Sequence, residues 1–188
     1  MGNHLGKGVV HNALGLVEGA GLTEAEALVL HKTFRELSMK NPGRPTISRE
    51  DLQEALRKHN VPLAQSDVLT KRLYEVYAKD QGGVDWKSFC AAMALLVKGN
   101  AEDKVKLSFQ LFDLHGEGTI SRQDLVIMLT KLGHHLDSVT PATHDTKSSS
   151  DQVTEYVDSV FAQYSADKQH LTQEEYFKAV TAHPALLA

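Results

Sequence analysis

The sequence predicts an all-α chain: four helix–loop–helix units in two paired lobes, with short two-residue β-bridges between paired loops. Three observations predict it. Apolar residues recur at three- to four-residue spacing in eight segments, the pattern of helices with one buried face. A bulky-x-x-bulky pair closes the first helix of each unit: Phe34 and Leu37, Tyr74 and Tyr77, Phe109 and Phe112, Phe161 and Tyr164. A single β-branched residue or leucine then precedes a polar cap and the second helix. These residues are Ile47, Val84, Ile120 and Leu171, spaced 37, 36 and 51 apart, and that repetition is the most informative feature of the chain.

The elements follow in order. Residues 1–22 are Gly-rich and almost uncharged, and predict a flexible N-terminal segment. Thr23 is an N-cap, and Glu24 and Glu26 suit a first helical turn. Asn41, Pro42, Gly43, Arg44 and Pro45 stop that helix, and Ser48 starts the next, running to about His59. Further helices are expected at 66–77, 85–97, 101–112, 121–132, 152–164 and 172–182. The 51-residue spacing is stretched by a polar, Pro- and Ser/Thr-rich stretch at 138–150, read as a flexible insertion. Residues 23–98 form the expected N-terminal lobe and 99–188 the C-terminal lobe.

Composition excludes several classes. The chain has 188 residues and a formal net charge of −4, which suggests neither a nucleic-acid binder nor a polybasic membrane protein. Residues 1–100 carry 13 Lys/Arg against 11 Asp/Glu; residues 101–188 carry 7 against 13, so the acidity lies in the second half. No run of about 18 apolar residues offers a membrane span. The N-terminus lacks the long apolar core of a secretory signal. The one cysteine, Cys90, permits no internal disulfide and is compatible with a reducing compartment. No Gly-rich phosphate loop, nucleophile motif or zinc spacing among the ten histidines stands out, so no enzyme is expected.

A helix–loop–helix unit with one apolar residue near the loop's end is the EF-hand plan. That residue pairs with its counterpart across a short bridge, Ile47 with Val84 and Ile120 with Leu171. A calcium loop of this plan needs oxygen ligands at positions 1, 3, 5, 7, 9 and 12, with glycine at 6. Only the third loop, Asp113–Asp124, has the standard 12 residues; the others, Ser38–Asp51, Ala78–Ser88 and Ser165–Glu175, have 14, 11 and 11. Loop one brings cations and prolines where carboxylates should converge. Loop two ends in Ser88, and loop four carries Lys168 and His170 in its middle.

The third loop, DLHGEGTISRQD, is therefore the candidate metal site. Asp113, Glu117, Gly118, Thr119, Ser121 and Asp124 take positions 1, 5, 6, 7, 9 and 12, and His115 takes position 3, a poor choice for a hard cation. The shorter Asp124 in place of Glu favours one weak Ca²⁺ or Mg²⁺ ion. The surviving carboxylates also have a bland role, since Ser48-x-x-Asp51, Ser121-x-x-Asp124 and Thr172-x-x-Glu175 are all capping-box patterns.

Met1-Gly2-Asn3-His4-Leu5-Gly6-Lys7 resembles an N-myristoylation signal, with Gly2 as the acceptor; Gly6 stands where Ser or Thr is usual. One acyl chain gives marginal, reversible membrane attachment. With these motifs, residues 22–188 resemble the calcineurin B-like and neuronal calcium sensor-like group of EF-hand proteins. The best stretch is residues 84–125, and residues 34–52 are similar to the degenerate first hand of calcineurin B homologous proteins. The resemblance implies two EF-hand lobes, an acyl N-terminus and an apolar groove that grips a partner helix. Candidate lining residues are Phe34, Leu73, Tyr77, Phe89, Met93, Phe109, Phe112, Met128 and Leu129.

The expected function is a cytoplasmic, non-enzymatic adaptor or regulatory subunit, peripheral to a membrane when acylated. It binds an amphipathic helix of a target protein with little or no calcium dependence. The alternative is a weak Ca²⁺ or Mg²⁺ sensor acting through the third loop.

Overall fold

The computed structural model describes residues 21–40, 45–78, 82–132 and 149–186. The chain divides into two compact units, Met1–Lys104 and Val105–Ala188. The described residues of the first unit form α1 (Glu24–Ser38), β1 (Thr46–Ile47), α2 (Arg49–Lys58), a 3₁₀ turn (Pro62–Gln65), α3 (Asp67–Ala78), β2 (Val84–Asp85) and α4 (Trp86–Lys98). Then come α5 (Ala101–Phe112), within which the division falls, β3 (Thr119–Ser121), α6 (Arg122–Lys131), α7 (Ser149–Tyr164), β4 (His170–Thr172), α8 (Gln173–Ala182) and a 3₁₀ turn (Pro184–Leu186). The all-α, paired helix–loop–helix architecture is the one the repeat predicts.

The bridge residues are the four that the spacing singles out. β1 and β2 pair antiparallel with Ile47 opposite Val84, and β3 and β4 pair with Ile120 opposite Leu171. All four side chains are 0–1% exposed, so each loop is pinned from inside by an apolar contact that a solvated loop would not make. The second bridge is one residue longer at each strand than the two-residue expectation, because Thr119–Thr172 and Ser121–His170 also pair.

In the first unit, α1 buries Ala27, Leu30, Phe34 and Leu37, a helical stripe, against α4 and α2. Phe34 meets the Trp86 and Phe89 rings at 5.5 Å, and His31 stands edge-on to Trp86 at 5.1 Å. Such ring pairs contribute about 0.5–1.5 kcal/mol each beyond their buried area. Lys98 Nζ reaches Glu26 Oε1 at 2.7 Å and ties the end of α4 to the start of α1. With the Thr23 cap, that ammonium holds the Glu26 carboxyl pKa at about 2.

In the second unit, Tyr176 is fully buried. Its hydroxyl sits 2.6 Å from Ser108 Oγ and donates to the Leu186 carbonyl at 3.1 Å, so the chain beyond α8 folds back into the core.

Further features depart from expectation. α7 begins at Ser149, three residues early, so Ser149 and Ser150 are helical; the remainder of the expected insertion, 138–148, lies outside the described residues. Asp151 falls in the first turn, where an acid suits the helix dipole. The two 3₁₀ turns were not expected. Both begin at a proline, and the first is preceded by an extended Val61, as steric conflict with the pyrrolidine ring requires.

Gly83 lies against β1. A Cβ there would stand 2.7 Å from Thr46 Cβ and Oγ1 and 3.1 Å from the Ile47 carbonyl oxygen. We expect Gly83→Ala to destabilise the first unit by about 1–3 kcal/mol, the usual range for overpacking. Gly116→Ala meets no atom within 4 Å and should cost only the about 1–2 kcal/mol of its left-handed backbone, in the second unit. Urea unfolding of each variant beside the wild type measures both losses.

Candidate functional site

Four loops could hold an ion, and the structure shows what the loop-end carboxylates do instead. In loop one, Asp51 closes a capping box: its Oδ2 accepts from the Ser48 amide at 3.2 Å and the Ser48 hydroxyl at 2.9 Å. Its other oxygen, Oδ1, accepts from Lys40 Nζ at 3.1 Å, and the same ammonium reaches Glu54 at 3.0 Å. Burial pushes the Asp51 carboxyl up, but the Ser48 and Lys40 hydrogen bonds outweigh it and hold the group below its ordinary value.

In loop two, Asp85 caps α4 by accepting from the Ser88 amide at 2.7 Å; residues 79–81 lie outside the described residues.

Loop four is closed by its own backbone. Asp167 accepts from the Gln169 and His170 amides at 2.7 Å and faces His170 Nδ1 at 2.9 Å, which together depress its pKa strongly. Glu175 Oε1 accepts from the Ala166 amide at 2.8 Å, and Oε2 from the Thr172 amide at 2.8 Å. Both oxygens that could grip an ion are thus turned onto chain donors. Lys168 takes a left-handed φ of 63° and donates from Nζ to the Ala162 carbonyl.

Loop three differs. Asp113 is buried and accepts from the Glu117 amide at 3.1 Å and the Gly118 amide at 2.8 Å, which folds the first half of the loop around it. Gly116 and Gly118 supply the left-handed backbone that this turn needs. Ser121 caps α6 by accepting from the Asp124 amide at 3.1 Å, but the capping box is not reciprocated. The Asp124 carboxylate is 4% exposed and turns into the loop, where His115 Nε2 faces its Oδ1 at 3.5 Å. Ser121-x-x-Asp124 is therefore a one-way cap, whereas Ser48-x-x-Asp51 and Thr172-x-x-Glu175 are full boxes.

These side chains do not fit a divalent ion as they stand. Among the described residues, no group of three His, Cys, Asp or Glu is arranged to hold a metal. Asp113 is engaged by two amides, and an imidazole faces Asp124. His115 and Glu117 are exposed, Thr119 and Ser121 half-buried.

Of the apolar residues expected to line a partner groove, Phe34, Leu73, Phe89, Met93, Phe109, Phe112, Met128 and Leu129 are 0–5% exposed and fill the unit cores; Tyr77 is half-buried. Among the described residues, the large apolar side chains on the surface are Leu28, Val29, Met39, Val97 and Phe177. A cleft of about 390 Å³ in the second unit is lined by residues that include Ser121, Arg122, Val126, Thr154 and His170. Gly2 lies outside the described residues. No helix of the described chain is long and apolar enough to cross a membrane.

The paired helix–loop–helix units with their apolar bridges have the architecture of EF-hand proteins. No family model matches the chain. Curated relatives do. A recoverin family protein of Dictyostelium discoideum is 31% identical over 114 residues, 58% of this chain and 50% of its own length. The calcineurin B subunit of Schizosaccharomyces pombe is 25% identical over 170 residues, 89% of this chain and 86% of its own. Dual oxidase of Drosophila melanogaster is 25% identical over 133 residues, which cover 8% of that enzyme. The chain thus spans half of the first relative and a small part of the oxidase. The chain is similar to calcineurin B-like and neuronal calcium sensor-like EF-hand proteins, as its sequence suggested.

The two kinds of loop-end acid should respond differently to losing their charge. Asp51→Asn keeps one oxygen for the Ser48 cap but loses the charge that holds Lys40, and should lower stability by about 1 kcal/mol. Asp124→Asn leaves the Ser121 cap intact, since that cap uses the Asp124 amide, and removes only the carboxylate charge that faces His115, so it should cost less than Asp51→Asn. Chemical denaturation in chelator measures both.

Loop four gives a pH dependence. Asp167 and Glu175 have depressed pKa values in the folded chain. Their contribution is complete above the unfolded carboxylate value near about 4 and is lost as pH falls through the folded values. The His170 and Thr172 amide resonances should therefore hold position at pH 5 and shift only in stronger acid.

Proposed function

We propose that the chain is a non-enzymatic EF-hand adaptor or regulatory subunit. In this reading it is acylated at Gly2 and holds an amphipathic helix of a target protein with little or no calcium dependence. The observation that carries it is the state of the loop-end acids: Asp51 and Glu175 already hold their loops closed through Ser48, Lys40, Ala166 and Thr172. A loop closed by its own donors has no opening transition for an ion to drive, so binding would be constitutive. The calcineurin relative, matched over most of both chains, is named as a subunit, which supports the same role.

A partner helix would first meet apolar side chains already on the surface, Leu28, Val29 and Val97 of the first unit or Phe177 of the second. Reversible membrane attachment would come from one acyl chain at Gly2.

A second reading, a weak Ca²⁺ or Mg²⁺ sensor, is favoured by one observation. Asp124 is turned into loop three rather than onto its cap. In this reading Asp113, Glu117, Thr119, Ser121 and Asp124 would be the ligands, with affinity at the weak end of the EF-hand range, roughly 10⁻⁴–10⁻³ M.

The two readings separate in one experiment. Partners captured on the full chain from cells expressing it should stay bound when calcium is replaced by EGTA. Release by EGTA would transfer the role to the sensor reading. Intact-mass measurement of the native chain should show one myristoyl group on the N-terminal glycine; an unmodified glycine would remove the membrane part.

A further inference from the structure

In a metal-binding EF loop the side chains of positions 3 and 12 both point at the ion. A base at the third residue would therefore land on the acid at the last. Loops one and three show that arrangement. Loop one runs from Ser38, so Lys40 is its third residue and Asp51 its last; Nζ lies 3.1 Å from Oδ1. Loop three runs from Asp113, so His115 is its third residue and Asp124 its last; Nε2 lies 3.5 Å from Oδ1. The reach of each base matches its separation from its acid, the longer lysine spanning 11 positions and the shorter histidine nine.

Both acids are buried, with side chains 9% and 4% exposed, whereas both bases reach in from solvent at 54% and 68%. Buried carboxylates need a counter-charge or hydrogen-bond donors, and here a basic side chain of the same loop faces each one. Loop four, whose third residue is Asp167, closes through amides instead and serves as an internal contrast.

We propose that Lys40 and His115 are internal replacements for the divalent ion, each holding its loop closed by facing the loop-end carboxylate. This deepens the calcium-independent reading and rests on it. Loop one is then locked, because its Lys40 ammonium is shared between Asp51 and Glu54. Loop three is nearer to a calcium site, because Asp113, Gly118 and the acid Asp124 are already in place and the third residue is its one base among the ligand positions.

The test uses the full chain, calcium itself, calorimetric titration, and thermal unfolding in chelator. The wild-type chain should give no binding heat below millimolar calcium. His115→Asp should gain at least about a hundredfold in affinity, the span that ligand charge tunes in such loops. In chelator it should unfold at a lower temperature than wild type, and calcium should restore it. His115→Asn, which supplies an oxygen without a charge, should gain in the same direction and serves if the aspartate variant does not fold. Lys40→Met should lower the unfolding temperature, Lys40→Arg should hold it, and calcium should rescue neither. If neither His115 variant binds calcium better than wild type, or if Lys40→Met is as stable as wild type, the proposal is overturned while the calcium-independent reading stands. Micromolar binding by wild type would overturn both.

Discussion

A carboxylate drawn inward at the start of a helix must be given a partner, and the loops of this chain are organised around that requirement. Loops one, three and four each end on an acid that the fold turns back toward the loop. An unpaired buried carboxylate would be costly enough to reshape the loop or to take up a proton. Loop one answers with an ammonium and a cap. Loop four answers with the amides of Ala166 and Thr172. In loop three a histidine stands opposite the acid.

That requirement couples to the apolar bridges. Ile47 with Val84 and Ile120 with Leu171 fix where each loop ends, because the bridge residue immediately precedes the cap of the following helix. Bridge and cap act on adjacent residues, so helix start, loop closure and core packing are set together. The aromatic cluster of Phe34, Trp86 and Phe89 adds to the packing of the first unit, and Tyr176 to that of the second. Neither needs an ion.

Most of the fold was legible because it repeats. Four bulky-x-x-bulky pairs and four isolated apolar residues at matching offsets are hard to reconcile with any plan but paired helix–loop–helix units, and helix bounds followed within about three residues. The candidate site was less legible. Ser48-x-x-Asp51 and Ser121-x-x-Asp124 are the same local motif, yet one is a full capping box and the other is not. What separates them is a contact across the loop, Lys40 in one case and His115 in the other, and local pattern does not encode it. The third-residue base was visible as a poor metal ligand; its meaning as a partner for the last residue required coordinates. Helical spacing likewise marked Phe34, Phe89 and Met128 as apolar-face residues without telling a core from a groove, since both present the same stripe.

The central claim is that these loops hold their shape without a divalent ion. Amide hydrogen exchange of the bridge residues Ile47, Val84, Ile120 and Leu171, compared in chelator and in millimolar calcium, tests it most directly. Equal protection in the two conditions, for both bridges, is the expected result. Protection of Ile120 and Leu171 that arises only with calcium would contradict the account, because the second unit's loops would then depend on the ion that His115 is held to replace.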